Sequence, residues 1–206
     1  MKKIILSAML LVSGLMMAQG QFEQGMGKAF GLWKEGKSSE ASDMFERIAA
    51  AEKNSWLPNY YVALVNTTAA FGTQDKEKIS ALLAKAQNAL DIEMVKDQAN
   101  AELYVLQAMI NTAWIVYDPM TNGMKLSGPT MALYFKAEAL APNNPRVVFS
   151  SADFQIHGAK YTGVDTKPLC AKVQRAIGLF GTYKTDLKFA PSWGLDRANE
   201  TMLNCK

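Results

Sequence analysis

Apolar residues recur along this chain every three to four positions, almost from end to end. Phe22, Met26, Phe30 and Trp33 form one stripe, and Ala41, Met44, Phe45, Ile48 and Ala49 form the next. Leu57, Tyr61, Leu64, Thr68 and Phe71 follow, then Ile79, Leu82, Leu83, Ala86 and Leu90, then Leu103, Leu106, Ile110, Ala113 and Tyr117. This period puts apolar groups on one face of a helix, and that face leaves water only by packing on another helix. No stretch shows convincing strand alternation. Arg146-Val147-Val148-Phe149 is rich in β-formers, but Asn143-Asn144-Pro145 before it is a helix start, so it reads as helix.

Breakers divide the stripes. Gly36-Lys37-Ser38 separates the first two, Asn54-Ser55 opens the third with Pro58 in its first turn, and Gly72-Thr73-Gln74-Asp75 precedes the fourth. Asp97 is placed to cap the fifth helix, and Pro191-Ser192 to begin the last. Asp118 to Thr130 reads as a long Gly- and Pro-containing loop, and Gly158 to Lys167 as a second irregular stretch. The pattern predicts an all-α fold of about nine helices, joined mostly by short links, so that neighbours run antiparallel.

Two stretches carry a family resemblance. Tyr134-Phe135-Lys136-Ala137-Glu138-Ala139-Leu140-Ala141-Pro142-Asn143-Asn144-Pro145 resembles the second helix and closing turn of a tetratricopeptide repeat. Gly36-Lys37-Ser38-Ser39-Glu40-Ala41 resembles the turn and following helix of another, and the first two helix pairs begin 34 residues apart, near Phe22 and Trp56. Later pairs depart from that spacing. The resemblance implies a short, stacked α-solenoid. In it, small residues at Ala29, Ala41 and Ala137 let paired helices approach, while Phe45 and Tyr134 fill the space between hairpins. The whole chain resembles exported bacterial proteins of this degenerate repeat type, and no activity is implied.

The N-terminus adds an address. Met1-Lys2-Lys3 is basic, Ile4 to Met17 is mostly apolar, and Ala18-Gln19-Gly20 supplies small residues for a peptidase. That is the layout of a secretory signal peptide over residues 1–20, leaving one helical repeat domain over 21–206. The apolar run is too short to span a bilayer comfortably. The expected location is the periplasm, with secretion second, and the mature chain is not expected to be membrane-embedded.

Charge and chemistry narrow the function classes. The net charge is +3 over the 206 residues, and removal of Lys2 and Lys3 brings it close to neutral. Basic residues are dispersed, so nucleic acid is not expected as a partner. His157 is the only histidine, and beside Gly158 it reads as a helix-end residue rather than a base or ligand. Gly25-Met26-Gly27 with Gly31 misses the dinucleotide fingerprint, since Phe30 stands where a glycine is needed. The carboxylates are scattered and read as solvated surface. No enzyme activity, cofactor or metal site is expected. Trp33 and Trp114 lie on apolar stripes and read as core, and Trp56 and Trp193 as staples at helix starts.

Cys170 and Cys205 each fall on the apolar face of a helix. An even count in an exported chain points to a disulfide, with two buried free thiols as the alternative. The partner-binding candidates lie in the two irregular stretches: Met120, Asn122, Met124 and Leu126 in the first, Tyr161 and Asp165 in the second. Long links of this kind are often binding elements. The first reading is a non-enzymatic helical-repeat protein of the cell envelope that holds a protein or peptide. The alternative is a periplasmic small-ligand or glycan-binding protein.

Overall fold

Helices follow one another with little between them in the computed structural model, which describes residues 20–205. The expected leader lies outside the described residues, apart from Gly20. The helices are α1 (20–34), α2 (Ser38–Ala51), α3 (Leu57–Phe71), α4 (Lys76–Lys96), α5 (Ala101–Tyr117), α6 (Pro119–Leu140), α7 (Pro145–Thr162), α8 (Lys167–Thr182) and α9 (Leu195–Leu203). Among the described residues there is no strand. The all-α expectation of stacked antiparallel hairpins therefore holds.

Local chemistry starts and stops these helices. The Asp75 carboxylate accepts from the backbone N–H of Glu77 and Lys78, and Asn100, Asp118 and Asn144 accept in the same way at the starts of α5, α6 and α7. Such caps satisfy N–H groups that a first helical turn leaves free. Prolines occupy the first turns of α3, α6, α7 and α8, where a missing N–H costs nothing. Gly36 ends α1 at φ +79°, and Lys37 N–H then donates back to the Leu32 carbonyl.

Packing sets the order. α3 lies against α4, α5 against α6, and α7 against α8, while α3, α5 and α7 also touch one another as an inner row. Hydrogen bonds fix the directions. Asn59 near the start of α3 donates to Glu93 near the end of α4, so that pair is antiparallel. Tyr60, Glu102 and Arg146, near the starts of α3, α5 and α7, form one connected group, so the inner row runs in parallel. Ala29, Ala41 and Ala137 have no exposed surface, and Phe45 and Tyr134 are buried. The main core runs from Met26 through Phe45, Tyr60, Leu64, Leu83, Leu90, Leu103 and Leu106 to Ile110.

Four boundaries differ from expectation. Asp118–Thr130 is not a loop: it is the beginning of α6, linked to α5 by Asp118 alone. Asp118 caps Thr121 N–H, Asn122 Nδ2 donates to the Trp114 carbonyl, and the Thr130 hydroxyl donates to the Leu126 carbonyl beside Pro129. These bonds hold a helix that Gly123, Gly128 and Pro129 disfavour intrinsically. The second stretch is shorter than expected, since α7 continues to Thr162. At the fifth helix Asn100 is the cap, whereas Asp97 closes a turn on Ala99 N–H. The last helix starts at Leu195 rather than at Pro191-Ser192.

Candidate functional site

The longest irregular segment joins α8 to α9, residues 183–194, and it lies across the inner row. Residues 183–188 are all exposed. Beyond them the segment touches the body at a few points. The Tyr61 hydroxyl donates to the Phe189 carbonyl at 2.8 Å, and Trp193 Nε1 donates to the Tyr60 hydroxyl at 2.8 Å. The Phe189 ring stacks on Phe30 at 5.9 Å and 18°, and meets the edge of Phe22 at 6.1 Å. Arg146 lies over the Tyr183 ring at 5.4 Å, and Lys188 pairs with Glu23 at 2.6 Å. This strap thus reaches from α7 back to α1.

Beneath it is a charged, enclosed cluster. Glu102 Oε1 accepts from Arg146 Nε at 2.7 Å and Nη2 at 2.6 Å, and from Asn144 Nδ2 at 2.6 Å; Tyr60 donates to Oε2 at 3.3 Å. The side chains of Arg146 and Glu102 are 3% and 8% exposed. Burial opposes the Arg146 charge, but the adjacent carboxylate outweighs it and raises the guanidinium pKa. Burial also raises the phenols of Tyr60 and Tyr61, and the Glu102 charge adds to this. Both stay neutral donors. A cavity of about 220 Å³ opens here between strap and body, lined in part by Trp56, Asn100, Glu102, Arg146, Tyr183 and Pro191.

Next to this cluster the core is aromatic. Phe30 meets Tyr61 edge-on at 4.6 Å, and Phe45 stacks on Tyr61 at 5.3 Å. Gly194 ends the strap at φ +111°, and a Cβ there would come within 2.9 Å of the Phe180 ring. Only glycine suits that position. A larger cleft of about 520 Å³ lies on the other side of α3, between α2 and α4. Two of its lysines are paired: Lys85 with Asp43 and Glu46, and Lys96 with Glu93.

The residues singled out from sequence fall elsewhere. Met120 and Met124 stand one turn apart on α6, 85% and 92% exposed. Asn122 is occupied by the Trp114 carbonyl, and Leu126 lies on the same helix. Tyr161 stands in the last turn of α7 with the Lys160 ammonium 4.8 Å from its ring centre, and Asp165 accepts from Lys167 N–H at the start of α8. Cys170 and Cys205 are bonded, with 5.7 Å between their Cα atoms, which closes a covalent loop around the strap and α9. Trp33 and Trp114 pack on the main core, while Trp193 bridges two cores. Gly25 sits against Ile48 of α2, a helix contact rather than a nucleotide turn. His157 lies on the exposed side of α7, with Nδ1 2.8 Å from the Asp153 carbonyl and Nε2 3.3 Å from Arg197. Among the described residues no group of three His, Cys, Asp or Glu side chains is arranged to hold a metal ion, and no helix is long and apolar enough to cross a membrane.

The strap and the Glu102–Arg146 pair were not found from sequence. Faint signals were present: Tyr183 to Gly194 contains Pro191 and Gly194, and Glu102 and Arg146 are charges placed directly before apolar runs.

No protein family and no curated protein matches the chain. Among solved structures, its backbone is similar to the HusA haemophore from Porphyromonas gingivalis, with a TM-score of 0.78 and 21% identity over 89% of this chain and 92% of that one. At that identity the likeness is one of fold.

Proposed function

We propose that this chain is an exported, non-enzymatic carrier of a small, flat, largely apolar ligand, of the haemophore kind, with haem as its cargo. The observation that carries the reading is the backbone likeness to a haemophore along nearly the whole of both chains. The aromatic cluster of Phe22, Phe30 and Tyr61 beneath the strap supports it, because ring stacking suits a planar ligand. The Cys170–Cys205 bond fits an oxidising compartment. A degenerate tetratricopeptide-like solenoid remains the repeat type we assign to the stack. Nothing in the comparison favours the protein or peptide partner that came first from sequence, so the small-ligand reading takes precedence.

The test is a titration of the intact chain with haem, following the haem absorbance band and quenching of the four tryptophans. Saturable binding of one haem per chain is expected. A flat response in both signals ends the reading, and the same titration with a saccharide panel would then test the glycan alternative.

A further inference from the structure

The strap places one of the chain's own rings in a stacking position. We propose that the slot now filled by Phe189, against Phe30 and Phe22 and beside Tyr61, is the seat of the planar ligand, and that the ligand enters by displacing Phe189 and lifting the strap. This rests on the carrier function proposed above and adds where the ligand sits and what it must exchange with.

Four observations carry it. Phe189 is nearly parallel to Phe30 while Phe22 meets it edge-on, an arrangement that another flat aromatic ring can take over. The Tyr61 hydroxyl is spent on the Phe189 carbonyl, so displacement frees a buried-side donor for a ligand carboxylate or carbonyl. Phe189 has φ +62°, the one described non-glycine residue with positive φ, and for a bulky aromatic that backbone is strained. Strain held in the closed strap favours its release. Finally, the first half of the strap is lightly fastened. Residues 183–188 are exposed, and the strap's ion pair, Lys188 with Glu23, is at the surface. The bond between Cys170 and Cys205 closes the covalent loop that contains the segment, so a lifted strap stays tethered.

The slot has a chemical preference. Its walls are π faces and edges, its one freed polar group is a neutral phenol, and the ammonium of Lys188, on the strap itself, lies 5.7 Å from the Phe189 ring centre. A planar aromatic macrocycle with peripheral carboxylates suits those walls.

Two measurements on the intact, disulfide-bonded chain test the exchange. The first compares haem and metal-free protoporphyrin binding to wild type and to Phe189→Ala by tryptophan quenching. Removing the internal occupant raises the ligand-competent fraction, so about three- to tenfold tighter binding of both probes is expected. The second follows trypsin cleavage after Lys184 and Lys188 in wild type, which should quicken several-fold when protoporphyrin is added. If the probes bind wild type but cleavage stays unchanged or slows, the exchange is overturned and the carrier function stands. Unchanged or weaker binding to a folded Phe189→Ala chain has the same meaning. If neither probe binds either chain, both fail. An unfolded Phe189→Ala chain leaves the wild-type cleavage rate to decide.

Discussion

The first five helices and the last three are held together by different physics. From α1 to α5, one continuous core joins Met26, Phe45, Tyr60, Leu83, Leu103 and Ile110, and its aromatic rings touch in series. From α7 to α9 the buried cluster is small, built on Val148, Phe149, Ala152, Val173, Ala176 and Ala198. Directed bonds supplement it: the Thr201 hydroxyl donates to Asp153, Lys172 reaches Glu138 and Ser151, and Cys170 is joined to Cys205. A thin core needs staples, much as small domains do. The contrast teaches that the part of the molecule carrying the strap is the part whose integrity depends least on burial. Such a region can move locally without unfolding the rest.

The sharpest way to break the comparison is to remove a ring from the large core. Phe45 has no exposed surface and touches both Phe30 and Tyr61. Phe45→Ala should cost about 3–5 kcal/mol, since lost burial and a residual cavity add. A melt should show the whole transition falling by roughly 10 °C. A small shift would mean that α1 to α5 is looser than its packing implies.

Removing the staple should act differently. Loop-closure entropy for a bridge spanning 35 positions gives up to about 4 kcal/mol, and measured values are commonly lower. We expect Cys205→Ser to cost about 2–3 kcal/mol, and to do so locally. Hydrogen exchange should rise in α8, α9 and the strap while α3 to α5 stay protected. Uniform exchange across the chain would show that the two regions unfold as one.

High pH distinguishes the regions in another way. Burial raises the pKa of Tyr60, Tyr61 and Tyr134, so each folded phenol stays protonated where an unfolded one ionises. The sign follows: their contribution is fully present below about pH 10 and is lost as pH rises toward the folded values. Each such phenol then withdraws roughly 1 kcal/mol per pH unit. Tyrosinate absorbance from these rings should therefore appear together with loss of helix, after that of the surface tyrosines. A phenolate signal from all seven tyrosines before any helix is lost would contradict the burial of the inner row.

These contrasts were only partly legible in the sequence. The helices around Phe45, Leu64, Leu83 and Leu106 were, because a buried stripe with period near 3.6 has few other uses. The cysteine pairing was readable for the same reason, as both residues fell on apolar faces. The start of α6 was misread because Gly123, Gly128 and Pro129 look like loop chemistry. The signal that outweighs them, Asp118 as cap with Pro119 in the first turn, is a helix start hidden inside the breaker-rich stretch. The strap was not legible as a strap. Its contacts, such as Tyr61 with Phe189 and Tyr60 with Trp193, join positions more than a hundred residues apart, and no local pattern encodes them.

The smallest effect belongs to a cap in the well-packed region. Asp75 is exposed and accepts from Glu77 N–H at 2.9 Å and Lys78 N–H at 3.1 Å, with no bond to another helix. Asp75→Ala should cost about 1 kcal/mol, the usual loss for an N-cap. Asn144 provides the control, because it caps α7 and also donates to buried Glu102. Asn144→Ala removes a cap and leaves a carboxylate under-satisfied beneath the strap, so its loss should exceed that of Asp75→Ala by at least about 1 kcal/mol. Urea unfolding of the two variants side by side measures the difference. Equal losses would mean that the Glu102–Arg146 pair is satisfied without Asn144, and that the seam between the two regions is more forgiving than its hydrogen bonds suggest.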